Sequence, residues 1–281
     1  MEENSSETNQ RIKALECLGT NEDEADKKIS LIEEWIEGKN FPEKLKKNII
    51  EMFLIRNKFK VDVTQKRIAM YYKIRSQIPE FFEEKHPREN HMKQVMNVSH
   101  FVFSPKLTPE LYTVNFFRLI DVNPKSFIPN DFCGFVVNIA ELKLVHDVYS
   151  LGDIYVCDLK GTSFSHLYYF GVGTLRKLAK VIQEAFPVSI KAIHFVNSPG
   201  YMNTLIAIIK NVLNPKIFKR IHVHENCEDV ANFVSKDILP KEFGGVGAPL
   251  DDLSDLLRGK FLEFQSRFDE LEKVNEKMKK K

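Results

Sequence analysis

His222 and His224 stand two residues apart in a β-like run, which sets both imidazoles on one strand face, and Cys227 follows closely. Imidazole and thiolate at such spacing are the donors of a zinc-type centre. The simpler reading, adopted here, is a partly exposed strand with no metal. Ser165 and His166 adjoin, but no acid follows in an order that would make His166 the base of a Ser-His-Asp triad, so no catalytic residue is assigned. Gly171-Val172-Gly173 and Gly244-Gly245-Val246-Gly247 are the glycine clusters, and neither follows a strand as a phosphate-cradling turn must. A dinucleotide enzyme is thereby set aside, and no cofactor is expected. What remains is electrostatic. No acidic residue occurs between Lys191 and His224, in a chain whose 41 Lys+Arg and 39 Asp+Glu nearly cancel. Lys216, Lys219 and Arg220 lie in that stretch and invite an anionic partner. Nucleic acid is a poor match, because the interleaved residues are aliphatic and the net charge is only +2.

The element that must position these cations is a helix. Ala192 to Asn197 is a short apolar run that leads through Pro199 into a segment where Met202, Leu205, Ile206, Ile209 and Leu213 fall at i, i+3, i+4, i+7 and i+11. That spacing makes one apolar stripe. The other face, with Asn203, Ala207 and Asn211, carries little charge beyond Lys210. Ser198 is the expected N-cap, Pro199 a first-turn residue and Pro215 the stop. Two readings fit: a core helix whose basic end balances its dipole, or a mobile element able to face a membrane.

Composition bounds the rest. The chain has 281 residues, 43% of them hydrophobic, enough for a sizeable core in one large or two small domains. No apolar run approaches the ~20 residues of a membrane span, and the start, Met1 to Arg11, lacks a signal-peptide core. Cys17, Cys133, Cys157 and Cys227 are scattered without a C-x-x-C pair and read as reduced thiols of a cytoplasmic protein. Residues 1–24 are expected to be flexible. Residues 25–95 read as a helical bundle: Ile29, Ile32 and Ile36 share a face with Trp35 beside them, Leu45 to Phe53 continues the pattern, and Asp62 with Gln65 suggests a capping box. Over 96–249 strands alternate with helices, the strands being Tyr112 to Leu119, Asp153 to Leu159, Ile190 to Asn197 and Arg220 to His224, with helical stretches at Asp131 to Val145 and Leu167 to Phe186. Residues 250–281 form a C-terminal helix, with Leu257, Phe261, Phe264, Phe268 and Leu271 at 4,3,4,3 spacing, and a basic tail of Lys277, Lys279, Lys280 and Lys281. That helix either packs on the body or contacts a protein partner.

In this order the pieces resemble the CRAL-TRIO lipid-binding family, nearest its tocopherol- and retinaldehyde-carrying branch. Phe53 to Phe59 (FLIRNKF) is similar to the family's FLRARKF element. Gly152 to Gly161 (GDIYVCDLKG) resembles the strand ending in DLEG, with Phe164-Ser165-His166 after it. Phe186-Pro187 with Ile193 to Asn197 resembles FP…IHLIN, and Leu239 to Gly245 (LPKEFGG) resembles LPxEYGG. The resemblance implies an α/β fold: an N-terminal helical bundle, then a lipid-binding domain with a mixed sheet as floor and a helical lid, the lid being Pro199 to Leu213.

By position the resemblance implies pocket walls at Val136, Val137, Ala140, Leu178, Val181, Ile182, Phe186, Val188, Ile190 and Ile193. It implies a phosphoinositide cleft at Lys191, Lys216 and Arg220, with Ser189 where a further cation stands in the tocopherol branch. Val136 and Ala140 replace that branch's serines, which suits a less polar ligand. The function so implied is a non-enzymatic carrier that takes a tocopherol, retinoid, carotenoid or similar lipid between membranes and releases it on contact with phosphatidylinositol phosphates at a transiently bound membrane surface. The alternative is a phosphoinositide-sensing scaffold acting through protein partners.

Overall fold

The computed structural model describes the backbone of residues 2–146 and 149–279, and side chains from residue 8 onward within those ranges. The lysine tail's last members, Lys280 and Lys281, lie outside the described residues.

Local sequence explains the N-terminal helices. In α2 (Glu22–Glu37) the isoleucines at 29, 32 and 36 are all buried, Asn21 caps the first turn by accepting the Glu24 N–H at 3.0 Å, and Glu22, Asp23 and Glu24 meet the positive end of the helix dipole. The stretch expected to be flexible is instead helical: α1 (Glu2–Cys17) buries Ala14 and Leu15. One cation explains its docking, since Arg11 donates to Glu22 at 2.6 Å and Asp26 at 3.1 Å on α2, and to Glu51 at 2.8 Å on α3 (Lys47–Arg56). The expected capping box also fails to form. α4 (Val61–Gln77) starts at Val61 with Lys60 as N-cap and no side-chain cap bond, so Asp62 lies inside the first turn and acts only on the dipole.

A helix α5 (Asn90–Val98) feeds the sheet, whose spatial order is β1 (Ser99–Phe103), β2 (Tyr112–Leu119), β3 (Gly152–Asp158), β4 (Ile190–Val196) and β5 (Ile221–Val223). β1 pairs antiparallel with β2, and the other three pairings are parallel. Parallel strands need crossovers, and helices supply them. These are α6 (Pro129–His146), then α7 (Phe164–Phe170), α8 (Val172–Lys180) and a π-turn at Val181–Ala185, then α9 (Met202–Val212) and α10 (Pro215–Phe218).

The C-terminal seam forms two helices rather than one, α11 (Leu250–Glu263) and α12 (Gln265–Lys279), broken at Phe264. α11 packs on β1 and α12 on α4. Leu257, Phe261, Phe268 and Leu271 are buried against the chain itself, and Arg267 clamps Glu43 at 2.6 and 3.0 Å. The apolar seam read as a possible protein contact is therefore used internally.

Candidate functional site

Because side chains alternate across a strand, the sheet register decides which residues form its two faces. Phe101, Phe117, Cys157 and Phe195 are successive register partners across β1 to β4, and Asn115, Tyr155 and Ile193 form the next row on the same face. Most of these, with Leu119 and Leu159, form the floor of a cavity of about 350 Å³. Phe127, Phe132 and Val136 close one wall, Leu178, Ala179 and Ile182 another, and α9 covers the top with Leu205, Ile209 and Val212, joined by Leu213 just after it. Burial pushes the Cys157 thiol up to about 12, so it stays neutral and belongs to the apolar lining.

The cover is pinned at both ends. Tyr201 donates its hydroxyl to Thr162 Oγ1 at 2.6 Å, and the Asn214 backbone N–H and side-chain amide both donate to Gln183 Oε1, at 3.0 and 2.8 Å. Asn214 also caps α10, accepting the Ile217 N–H at 2.9 Å. The helix begins at Met202 with Tyr201 as N-cap, not at Ser198 and Pro199 as expected; Pro199 contributes only the carbonyl that accepts the Met202 N–H.

Of the ten wall residues expected from sequence, Val136, Leu178, Ile182, Ile190 and Ile193 line this cavity. Val136 and Ile182 also line a small adjoining recess of about 40 Å³, together with Ala140, Phe186 and Val188. Val137 and Val181 do not line either: both are buried in the core shared with the N-terminal helices. One residue along a helix is a rotation of about 100°, so Val137 faces away when Val136 faces in. Met202 and Ile206 pack in the same cluster as the cover but not on the cavity. The aromatic floor and walls were missed, although i, i+2 runs such as Tyr155, Cys157, Leu159 and Ile193, Phe195 carry its signal.

At the recess the apolar floor gives way to charge. Arg56 Nη1 donates to Asp153 Oδ2 at 2.7 Å, Arg56 Nη2 to Ser150 Oγ at 3.1 Å, and Lys143 bonds Asp153 Oδ1 and reaches Asn115 Oδ1 at 3.3 Å. Burial alone would raise the Asp153 carboxyl, but Arg56 and Lys143 bring it down to about 2.

The three expected cations do gather. Lys191 is half-buried with its ammonium 4.8 Å from the Tyr112 ring centre; burial lowers its pKa, and so do the fields of Arg220, Lys58, Arg56 and Lys216. Arg220 also bonds the Ile190 carbonyl. Lys58 joins this group unforeseen. It sits with Phe59 in left-handed backbone (φ 55° and 53°), where the Phe59 N–H returns to the Leu54 carbonyl at 2.7 Å and closes the end of α3.

On the opposite face of the sheet His194 pairs with His222, and its Nδ1 lies 3.0 Å from His224 Nε2, with ring centres 4.9 and 5.2 Å apart and Phe233 against all three. Burial and the two neighbouring rings hold His194 down at about 4. An unfolded histidine titrates at about 6.5, so burying His194 in its neutral form contributes stability fully above that pH, which is lost as pH falls toward about 4. Urea midpoints measured from pH 7 to 4 should fall, and a His194→Gln variant should lack that part of the slope. Equal slopes would remove His194 as the cause.

A mixed sheet with a covered apolar hollow on one face, preceded in the chain by a helical bundle, defines an α/β domain built around an apolar pocket. Residues 97–245 match the CRAL/TRIO domain family, more than half of the chain, and residues 21–92 match the Pinta-like, UBA domain. The chain belongs to the CRAL/TRIO family. It is 28% identical over 209 residues to a mouse protein named alpha-tocopherol transfer protein-like, a match covering 72% of this chain and 59% of that one. The human protein of the same name is 28% identical over 206 residues, 71% of this chain and 58% of the relative. Clavesin-1 of Xenopus laevis is 36% identical over 101 residues, 36% of this chain and 30% of its own. The chain thus spans under two thirds of these relatives' length. The crystal structure of Sfh5 shares the fold at TM-score 0.58 and 14% identity, over 86% of this chain and 98% of that chain. No helix among the described residues is long and apolar enough to cross a membrane.

Proposed function

We propose that this protein is a non-enzymatic carrier of a hydrophobic small molecule between membranes, with release promoted by anionic head groups at the basic cluster. The observation that carries the reading is the apolar cavity of about 350 Å³ beneath α9, within the ~300–1,000 Å³ range of small-molecule sites. A lipid that buries roughly 400 Å² at about 25 cal/mol per Å² gains on the order of 10 kcal/mol before entropy losses. Three cations at an anionic surface contribute about 1 kcal/mol each, so burial holds the cargo and charge selects the membrane.

A membrane face is supported by the residues beside the cover. Phe164, Tyr168 and Tyr169 on α7 and Val172 at the start of α8 are exposed, Tyr168 by 75%, and the Phe164 ring lies 6.4 Å from that of Tyr201. Interface-seeking aromatics suit the head-group level of a bilayer. Opening would break the Tyr201 and Asn214 bonds and turn Leu205, Ile209 and Leu213 toward that interface. Because Asn214 also caps α10, which carries Lys216, head-group binding there bears directly on one of the pins.

The test is transfer of a fluorescent tocopherol analogue between vesicles. Wild type should accelerate transfer to acceptors containing phosphatidylinositol phosphate, and Lys216→Glu with Arg220→Glu should slow it about tenfold or more while equilibrium binding of the analogue changes little, as loss and reversal of two such contacts implies. Unchanged transfer in the double variant sinks the release scheme. Failure of wild type to bind any apolar probe sinks the carrier reading.

A further inference from the structure

Beyond the carrier reading, we infer that the outer edge of β5 is a self-association surface whose occupant is the β5 of a second copy of this chain, paired antiparallel about a two-fold axis. β5 ends the sheet, hydrogen-bonded to β4 on one side. Successive residues of a strand turn their N–H and C=O groups to opposite sides. The Ile193 N–H donates to the Arg220 carbonyl at 2.9 Å and the His224 N–H to the Phe195 carbonyl at 2.8 Å, so Arg220, His222 and His224 face β4. Ile221 and Val223 therefore direct their backbone groups outward, where neither has a backbone partner among the described residues. The edge is open: His222 and Val223 are exposed, Val223 by 46%. Such an edge is a template for another strand.

Charge decides which strand fits. Lys216, Lys219 and Arg220 precede β5, and Glu225, Glu228 and Asp229 follow it. A second copy laid parallel would set like charge against like, whereas an antiparallel copy sets each basic flank against the other's acidic one. The outward backbone groups then fix the register. Centring the pair on His222 places Ile221 opposite Val223 of the second copy and uses both outward residues of each chain, while centring on Ile221 or on Val223 uses only one. In that register Lys219 comes across from Glu225 of the second copy, and symmetry repeats the pair. Both side chains are exposed and neither has an ion-pair partner among the described residues. At the axis the two His222 rings meet beside Phe233, which is 53% exposed in the single chain and 5.5 Å from His222. A strand of three residues makes a small contact, so the association is weak and reversible. The axis between two such strands stands perpendicular to the sheet, so both copies carry α9 on the same side. Where the carrier reading holds, one bilayer can meet both covers.

The test is analytical ultracentrifugation of the full chain, free of lipid, over a rising concentration series. Wild type should pass from monomer to dimer. Val223→Pro removes an outward N–H and leaves every bond to β4 in place, so it should stay monomeric with an unchanged circular dichroism spectrum. Glu225→Lys and Lys219→Glu should each weaken the dimer about tenfold, because both symmetry-related pairs turn from attractive to repulsive. Mixed in equal amounts, the two charge variants should recover association as a heterodimer, since the reversed charges then oppose each other across the axis. That rescue reads antiparallel pairing and no property of the single fold, and it decides alone if Val223→Pro fails to fold. A wild type that stays monomeric throughout, a dimer indifferent to these substitutions, or charge variants that weaken it without mutual rescue each overturns the assignment. Because no lipid enters the measurement, its failure leaves the carrier reading where it stood.

Discussion

An Asp153→Asn substitution should lower the unfolding free energy by about 3–5 kcal/mol, because the carboxylate it removes is shared by two buried cations. Arg56 arrives from the end of α3 and Lys143 from α6, and both converge on the start of β3, so the loss falls where the helical bundle meets the sheet. All three side chains are nearly inaccessible. Breaking such a cluster costs far more than losing a surface pair, since the cations stay buried after their common acceptor has gone. The pH dependence identifies the cause. Asp153 titrates at about 2 in the folded chain and near ~3.9 unfolded, so its contribution is complete above the higher value and is lost as pH falls through the lower one. Urea unfolding of wild type and variant should therefore differ most at neutral pH and converge toward pH ~2. A variant within about 1 kcal/mol of wild type at pH 7 would show that the cluster carries little of the fold's stability.

The same cluster marks where sequence reading stopped. Helix phase and strand alternation are local, and they located the cover stripe and the four parallel strands, while the family resemblance supplied the ten expected wall residues, of which Val136, Leu178, Ile182, Ile190 and Ile193 line the cavity. Arg56 and Asp153 are 97 positions apart, and nothing in either segment announces the other. β1 escaped because Phe101, Val102 and Phe103 form a short apolar run rather than an alternating one, both faces being covered. The misplaced walls, Val137 and Val181, are errors of rotation rather than of element: each neighbours a residue that does face the hollow, and the π-turn at Val181 shifts the phase further. Lys58 lay inside the segment whose resemblance was noted, yet only the left-handed turn after α3 brings it to Lys191. His166 illustrates the converse. Its adjacency to Ser165 invited a catalytic reading, whereas its partner is Ser163: Nδ1 accepts the Ser163 backbone N–H at 3.0 Å and lies 2.9 Å from the Ser163 hydroxyl, while among the described residues no acid bonds Nε2 to complete a triad.

Filling the hollow separates cargo binding from fold stability, and the expected effect is the larger of the two on function. Cys157 sits mid-floor between Phe117 and Phe195 with its neutral thiol on the apolar surface. Replacing it by tryptophan places a side chain that covers roughly 200 Å² inside a space of about 350 Å³. If that removes about a third of the area a guest can bury, near 130 Å², affinity falls by roughly 3 kcal/mol, over a hundredfold. Stability should hold or rise, because the new ring gains contacts that a smaller side chain lacks. Native mass spectrometry of the purified chain reads this directly: wild type and Cys157→Ala should carry one apolar molecule per chain, and Cys157→Trp none, with denaturant midpoints for the tryptophan variant no lower than wild type. Stoichiometric lipid retained on a folded Cys157→Trp protein would place the cargo elsewhere and leave the space beneath α9 without a role in carriage.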